Sequence, residues 1–131
     1  MADNVKSLMA GLQADPSAFQ VSGHLLTNIQ VQAGDEVSIS ASGIVQFGLL
    51  AGRGDPNGIQ GFEDYSYFPN VNHGALLARV RRYGTEDWVV IGTGKTFVAN
   101  SSGQLELLLN DADPDNNVGY FVVKVTVRYR R

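Results

Sequence analysis

Residues 120–129 read YFVVKVTVRY. Val123, Val125, Val127 and Tyr129 fall on one face of an extended chain. Val122, Lys124, Thr126 and Arg128 fall on the other. A period of two with one apolar face is the signature of a half-buried β-strand. Glu36–Ser42 repeats it, with Val37, Ile39 and Ala41 set against Glu36, Ser38 and Ser40. The same reading predicts strands at Gln20–Leu26, Ile29–Gln32, Ile44–Phe47, Ala75–Arg82, Trp88–Ile91, Thr96–Ala99 and Gln104–Leu109, with a break at Thr27-Asn28. Ala33-Gly34-Asp35, Gly84, Gly92, Gly94 and Ser101-Ser102-Gly103 supply turns at the spacing of a β-sandwich.

Two stretches depart from this rhythm. In residues 4–13, Val5, Leu8, Met9 and Leu12 share one helical face behind a capping Asn4, and Asp15-Pro16 ends the run. This predicts a short N-terminal helix that docks on its own domain or on a second subunit, because a helix this short is marginal alone. Residues 1–18 are therefore read as a helical extension and 19–131 as the sandwich. The second departure is Gly48–Asn72, with five glycines and two prolines. Phe62, Tyr65, Tyr67 and Phe68 point to an ordered surface loop, and loops of this length are usually functional.

The 131 residues bound one domain with a sizeable core. A net charge of −3 gives no reason to propose nucleic acid or an anionic membrane as partner. No apolar run is long enough to span a bilayer, so membrane insertion is not expected. With no cysteine, disulfides, thiolate nucleophiles and Cys-bound zinc are excluded. The start, MADNVKSLMAGLQADP, lacks the pattern of a signal peptide. Cytoplasmic synthesis is expected, with an extracellular or surface role left open.

Between the last two strands lies NDADPDNNVG, residues 110–119. Asp111, Asp113 and Asp115 alternate as in an EF-hand, but Asn116 stands where Gly is required and Val122 where Glu is required. A hard cation bound in another geometry fits the crowding of oxygens. So does a polar hairpin, and the residue pattern alone leaves both open.

Other motifs have simpler readings. Arg53-Gly54-Asp55 spells an adhesion tripeptide, but three-residue matches arise by chance. Gly92-Thr93-Gly94-Lys95 lacks the spacing of a phosphate loop. His24 and His73 stand in no ligand or catalytic context. Glu63-Asp64 is a poor acid pair for glycoside hydrolysis, because neighbours on an extended segment point apart. Trp88 reads as core of its strand. No enzyme is indicated.

The order of several short motifs resembles the PA-IL-type soluble galactophilic bacterial lectins. Ala33-Gly34-Asp35-Glu36-Val37-Ser38-Ile39 and Ala41-Ser42-Gly43 match a turn and strand. Gly74-Ala75-Leu76 matches a central strand start. Leu108-Leu109-Asn110-Asp111 enters the oxygen-rich loop, and Asn116-Asn117-Val118-Gly119-Tyr120-Phe121 leaves it. The resemblance covers about residues 20–128 and none of 1–18. It implies an all-β, jelly-roll-like sandwich of the galactose-binding-domain type, calcium as cofactor, and galactosides or other terminal sugars as partners. Homo-oligomerisation is implied as well, which would give weak single sites useful avidity.

Carried across, Asp111 would be the main calcium carboxylate and Asn116 and Asn117 would supply side-chain oxygens. Phe47 would contribute its backbone carbonyl. Asp113 would provide a further ligand, with Asp115 as rival, since the loop is two residues shorter than the family's. Asp111, Asn116 and the Ala112 N–H would hydrogen-bond the sugar. Gly61 and Asp64 fall where the family uses a His and a Gln to hold the sugar, which weakens the expectation for galactose. Tyr65 and Tyr67 would either offer a CH–π face to a sugar or serve as core or rim packing. A rival expectation is a non-lectin interaction module in which calcium only stiffens the loop.

Overall fold

The computed structural model describes residues 17–48, 52–81 and 88–130. The helix expected over residues 4–13 lies outside them. The described chain forms β1 (Ser17–Val21), β2 (His24–Val31), β3 (Glu36–Ser42), β4 (Val45–Phe47), β5 (Arg53–Gly54), β6 (Leu76–Arg81), β7 (Val89–Val90), β8 (Gly94–Val98), β9 (Gly103–Leu109), β10 (Asn117–Val118) and β11 (Phe121–Arg128). Two 3-10 turns, Glu63–Tyr65 and Pro114–Asn116, complete it. No helix among the described residues is long and apolar enough to cross a membrane.

The strands make an antiparallel β-sandwich. One sheet has the order β1-β11-β3-β8 and the other β2-β9-β6-β7. A small third sheet, β10-β4-β5, lies beside them in the topology. The alternation in β11 and β3 has the predicted outcome. Val123, Val125, Val127, Val37 and Ile39 are buried, while Lys124 and Arg128 are exposed. Across the core lie Leu105, Leu107 and Leu109 of β9 and Leu76, Ala78 and Val80 of β6. The turn before β3 is tied down by Asp35, whose carboxylate accepts from the Gln32 N–H at 2.9 Å and the Arg130 N–H at 3.1 Å.

Three sequence expectations need correction. The break near Thr27-Asn28 is a bulge inside a continuous β2, with the register shifting between Leu26 and Gln30. The Thr27 hydroxyl donates to the Leu105 carbonyl at 2.7 Å and accepts the Ile29 N–H at 3.1 Å, so the irregular backbone stays hydrogen-bonded. The true break is at Ser22-Gly23, where the chain passes from one sheet to the other. Trp88 is half-buried and precedes β7. Its ring lies under the Arg79 guanidinium at 4.4 Å, a cation–π contact.

That arginine belongs to a polar group on the second sheet. Glu106 is buried and receives Arg79 Nε at 2.6 Å on one oxygen and His24 Nε2 on the other. Burial raises the Glu106 pKa, but the bonds from His24 and Arg79 outweigh it and hold the carboxyl below its usual value.

Candidate functional site

The site grows from the end of β9. Leu76 pairs with Leu109, and the ladder continues through Gly74 N–H to the Asn110 carbonyl and Asn110 N–H to the Ala75 carbonyl, both 2.9 Å. Asn110 is completely buried. Its Nδ2 lies 3.0–3.1 Å from the carbonyls of Phe68, Val71 and Asn72, and its Oδ1 accepts the Phe68 N–H at 2.9 Å. One side chain thus clamps the end of the long loop against β9. Asn110 is a fastener, not one of the outward-facing oxygens.

Asp111, next along, is 3% exposed. Its Oδ1 accepts the Asp113 N–H at 2.9 Å, and its Oδ2 is buried with no hydrogen-bond partner. His73, 2% exposed, places Nε2 3.8 Å from Asp111 Oδ1 and Nδ1 2.8 Å from the Ser66 hydroxyl. The Phe47 ring meets it edge-on at 5.3 Å and the Phe62 ring lies 5.9 Å away. Burial lowers the His73 pKa, and the Asp111 charge offsets only part of that. Phe62 holds a left-handed backbone, φ 62°, among the described residues the one non-glycine to do so. Such strain persists only where the surroundings enforce it.

The facing wall is the small sheet. Asn117 pairs with Phe47, and Val118 with Gln46. The Asn117 Nδ2 donates to the Ser22 carbonyl at 3.0 Å. That bond fixes the amide orientation, since the reverse would set two oxygens together. It leaves Asn117 Oδ1 buried and unpartnered. Asn116 packs over Gly48, where an added Cβ would come within 3.0 Å of Asn116 Nδ2.

Between these walls opens a cleft of about 600 Å³, lined by Gln46, Phe47, Gly48, Phe62, Tyr65, His73, Asp111, Asp113, Asn116 and Val118. That volume suits a small ligand. The lining contains two carboxylates and neither Lys nor Arg. Buried polar atoms without partners are uncommon and ask for a reason. Here both orphans are acceptor oxygens, one of them on a carboxylate. Among the described residues, no three His, Asp or Glu side chains gather as a metal cluster. A cation held here would therefore rely on amide and backbone oxygens beside Asp111, the donor set of a hard ion.

The structure thus brings Phe47, Asp111, Asp113 and Asn116 together around one cleft, with Asn117 adjoining in β10. It does not bring Gly61 or Asp64 to the lining. Gly61 has nothing within 4 Å of its Cβ position, and Asp64 is an exposed member of the first 3-10 turn. The Ala112 N–H donates to the Tyr65 carbonyl at 2.8 Å, so it is not free for a ligand, contrary to expectation. Tyr65 lines the cleft and Tyr67 does not. His73, read from the sequence as standing in no ligand or catalytic context, is a hydrogen-bonded member of the lining, a place the sequence reading did not assign to it. Its signal was positional: the β6–β9 pairing that joins Leu76 to Leu109 carries residue 73 to the neighbourhood of Asp111.

No family model matches the chain, and no curated protein matches it. Among solved structures it is similar to a chain described as the EclA N-terminal domain, a PllA-like lectin. The TM-score is 0.63 with 23% identity, covering 88% of this chain and 97% of that one. This likeness supports the sandwich fold.

Proposed function

We propose that the protein is a calcium-dependent carbohydrate-binding protein that holds a terminal sugar, by default a galactoside, at the cleft. The observation that carries this reading is the pair of orphaned buried oxygens, Asp111 Oδ2 and Asn117 Oδ1, in the two segments flanking the cleft. Asp111, Asn116, Asn117, the Phe47 carbonyl and Asp113 would hold the ion. Calcium accepts six to eight oxygens, so it can complete its shell with a vicinal diol in place of water. The fold shared with a lectin domain is consistent with this reading.

The chain's own residues supply the remainder. Tyr65 and Phe62 offer apolar faces to the C–H side of a sugar ring. Asn116 offers an amide to its hydroxyls. Gly61 and Asp64 lie off the lining, so they do not replace the family's sugar-holding His and Gln, and a galactoside is expected to bind weakly. Avidity from a homo-oligomer would compensate. A role outside the cell or at its surface follows from the ligand class.

The test is calorimetry. Calcium is titrated into metal-stripped protein, then methyl galactoside into both forms. Calcium binding with sugar heat only in the loaded form supports the reading. Calcium binding with no heat from any sugar in a glycan panel favours the interaction module. Absence of calcium binding overturns the cation site.

A further inference from the structure

The tripeptide Arg53-Gly54-Asp55 acquires a different meaning in the fold. Gly54 is buried, and a Cβ there would lie 2.9 Å from Ile59 and 3.0 Å from the Phe47 ring. Asp55 folds back, its carboxylate accepting the Asn57 N–H at 2.8 Å. Neither is presented as an adhesion loop would present it. Arg53 is exposed, and among the described residues no hydrogen bond of this kind ties its side chain back as one ties Asp55.

Its position follows from the register of the small sheet. Val118 pairs with Gln46, and Gln46 pairs with Arg53. Directly opposed residues in an antiparallel sheet project from the same face. Val118, Gln46 and Arg53 therefore form one row across β10, β4 and β5. The first two line the cleft, and the third stands one strand spacing further, about 5 Å on. Arg53 is a long side chain at the edge of a cleft whose own lining has no Lys or Arg.

We infer that Arg53 is a specificity residue that selects saccharides bearing an anionic substituent, a carboxylate or a sulfate ester, near the cation-bound ring. The inference rests on the carbohydrate-binding reading above. Guanidinium is the side chain best suited to a planar or tetrahedral oxyanion, because its forked N–H groups can engage two oxygens at once. The metal-free cleft, with Asp111 and Asp113, repels such a ligand. Once a dication offsets those two charges, Arg53 makes the rim net attractive to anions. The contact is solvent-exposed, so the gain is modest, about three- to five-fold in affinity and weaker in high salt.

The experiment uses the full chain with saturating calcium. Methyl galactoside, its uronate counterpart and sulfated galactosides are titrated into the wild type, Arg53→Gln and Arg53→Lys, at low and high salt. The wild type should bind at least one acidic sugar about three- to five-fold more tightly than the neutral one. Arg53→Gln should lose that preference and Arg53→Lys keep part of it, while calcium and neutral-sugar affinities stay unchanged in both. A preference for carboxylate alone or sulfate alone supports the inference and names the anion. No acidic preference, or a preference that survives in Arg53→Gln, overturns it and leaves the carbohydrate reading standing. Calcium binding without binding of any sugar, neutral or acidic, overturns both.

Discussion

Replacing Asp111 by Asn should make the metal-free protein more stable and the calcium-loaded protein less stable than the wild type. Asp111 is 3% exposed, and its Oδ2 has no partner. The substitution keeps the shape and the acceptor for the Asp113 N–H. It exchanges an unpartnered buried charged oxygen for a neutral group. An unsatisfied neutral group costs about 1–3 kcal/mol and a charged one more, so the net gain is on the order of 1 kcal/mol. In a domain of this size that is roughly 3–5 °C in Tm. Calcium at a hundredfold excess over its Kd should then stabilise the wild type by about 2.7 kcal/mol, roughly 8–13 °C. The variant, lacking the main carboxylate, should gain little. Thermal melts of both proteins with chelator and with calcium read all four values. Two parallel curves, with the variant gaining as much from calcium as the wild type, would refute the assignment of Asp111. A variant less stable than the wild type in chelator would refute the orphan-charge argument itself.

Three further outcomes are expected. Asn110→Ala removes the clamp on residues 68–72 and should cost on the order of 3 kcal/mol, given several hydrogen bonds at a buried position; limited proteolysis should then cut within the long loop. Glu106→Gln should lower stability at neutral pH. Because the folded carboxyl sits below its unfolded value, its contribution is full above the ordinary carboxylate range and is lost as pH falls through the folded pKa. The gap between wild type and variant in pH-dependent melts should therefore close in acid, and a gap that stays constant would show that charge is not its source. Gly74→Ala places a Cβ 2.2 Å from the Phe47 ring at φ 75°. It should displace that ring and weaken calcium binding in calorimetry along with stability.

The strands that read clearly were those whose two faces meet different environments. β3 spans the predicted Glu36–Ser42, and β11 falls one residue inside each predicted end. β2 misled because Thr27 and Asn28 carry loop-like side chains, and only a partner across the sheet, the Leu105 carbonyl, reveals why they are tolerated. The long loop hid β5 and the first 3-10 turn because two- and three-residue elements have no period to detect. In the cleft, Asp111 and Asn116 were legible as a cluster along the chain. His73 was not, since its relation to Asp111 exists only through the pairing of β6 with β9. Gly61 and Asp64 failed for the converse reason. The resemblance placed them by sequence position, but in that segment it is Phe62 and Tyr65 that line the cleft.

The role of His73 follows from its surroundings. A cation site needs uncompensated negative charge, and the simplest way to stabilise a buried Asp would be a buried positive partner. The chain places a histidine there, enclosed by Phe47 and Phe62 and bonded to Ser66. Burial disfavours the imidazolium more than Asp111 favours it, so at neutral pH the ring packs as an uncharged wall. Among the described residues, Asp111 is left without a buried cationic partner, and its Oδ2 without a hydrogen bond. A Lys or Arg at residue 73 would neutralise the Asp111 carboxylate and stabilise the metal-free fold, and would compete with a cation for the site. The same logic separates the cleft from the Glu106 group on the second sheet. There a buried carboxylate has a hydrogen-bond partner on each of its two oxygens. Of the two buried acidic side chains with a histidine at hand, only Asp111 retains an oxygen for an external partner, and that oxygen is where a ligand's contribution would be felt.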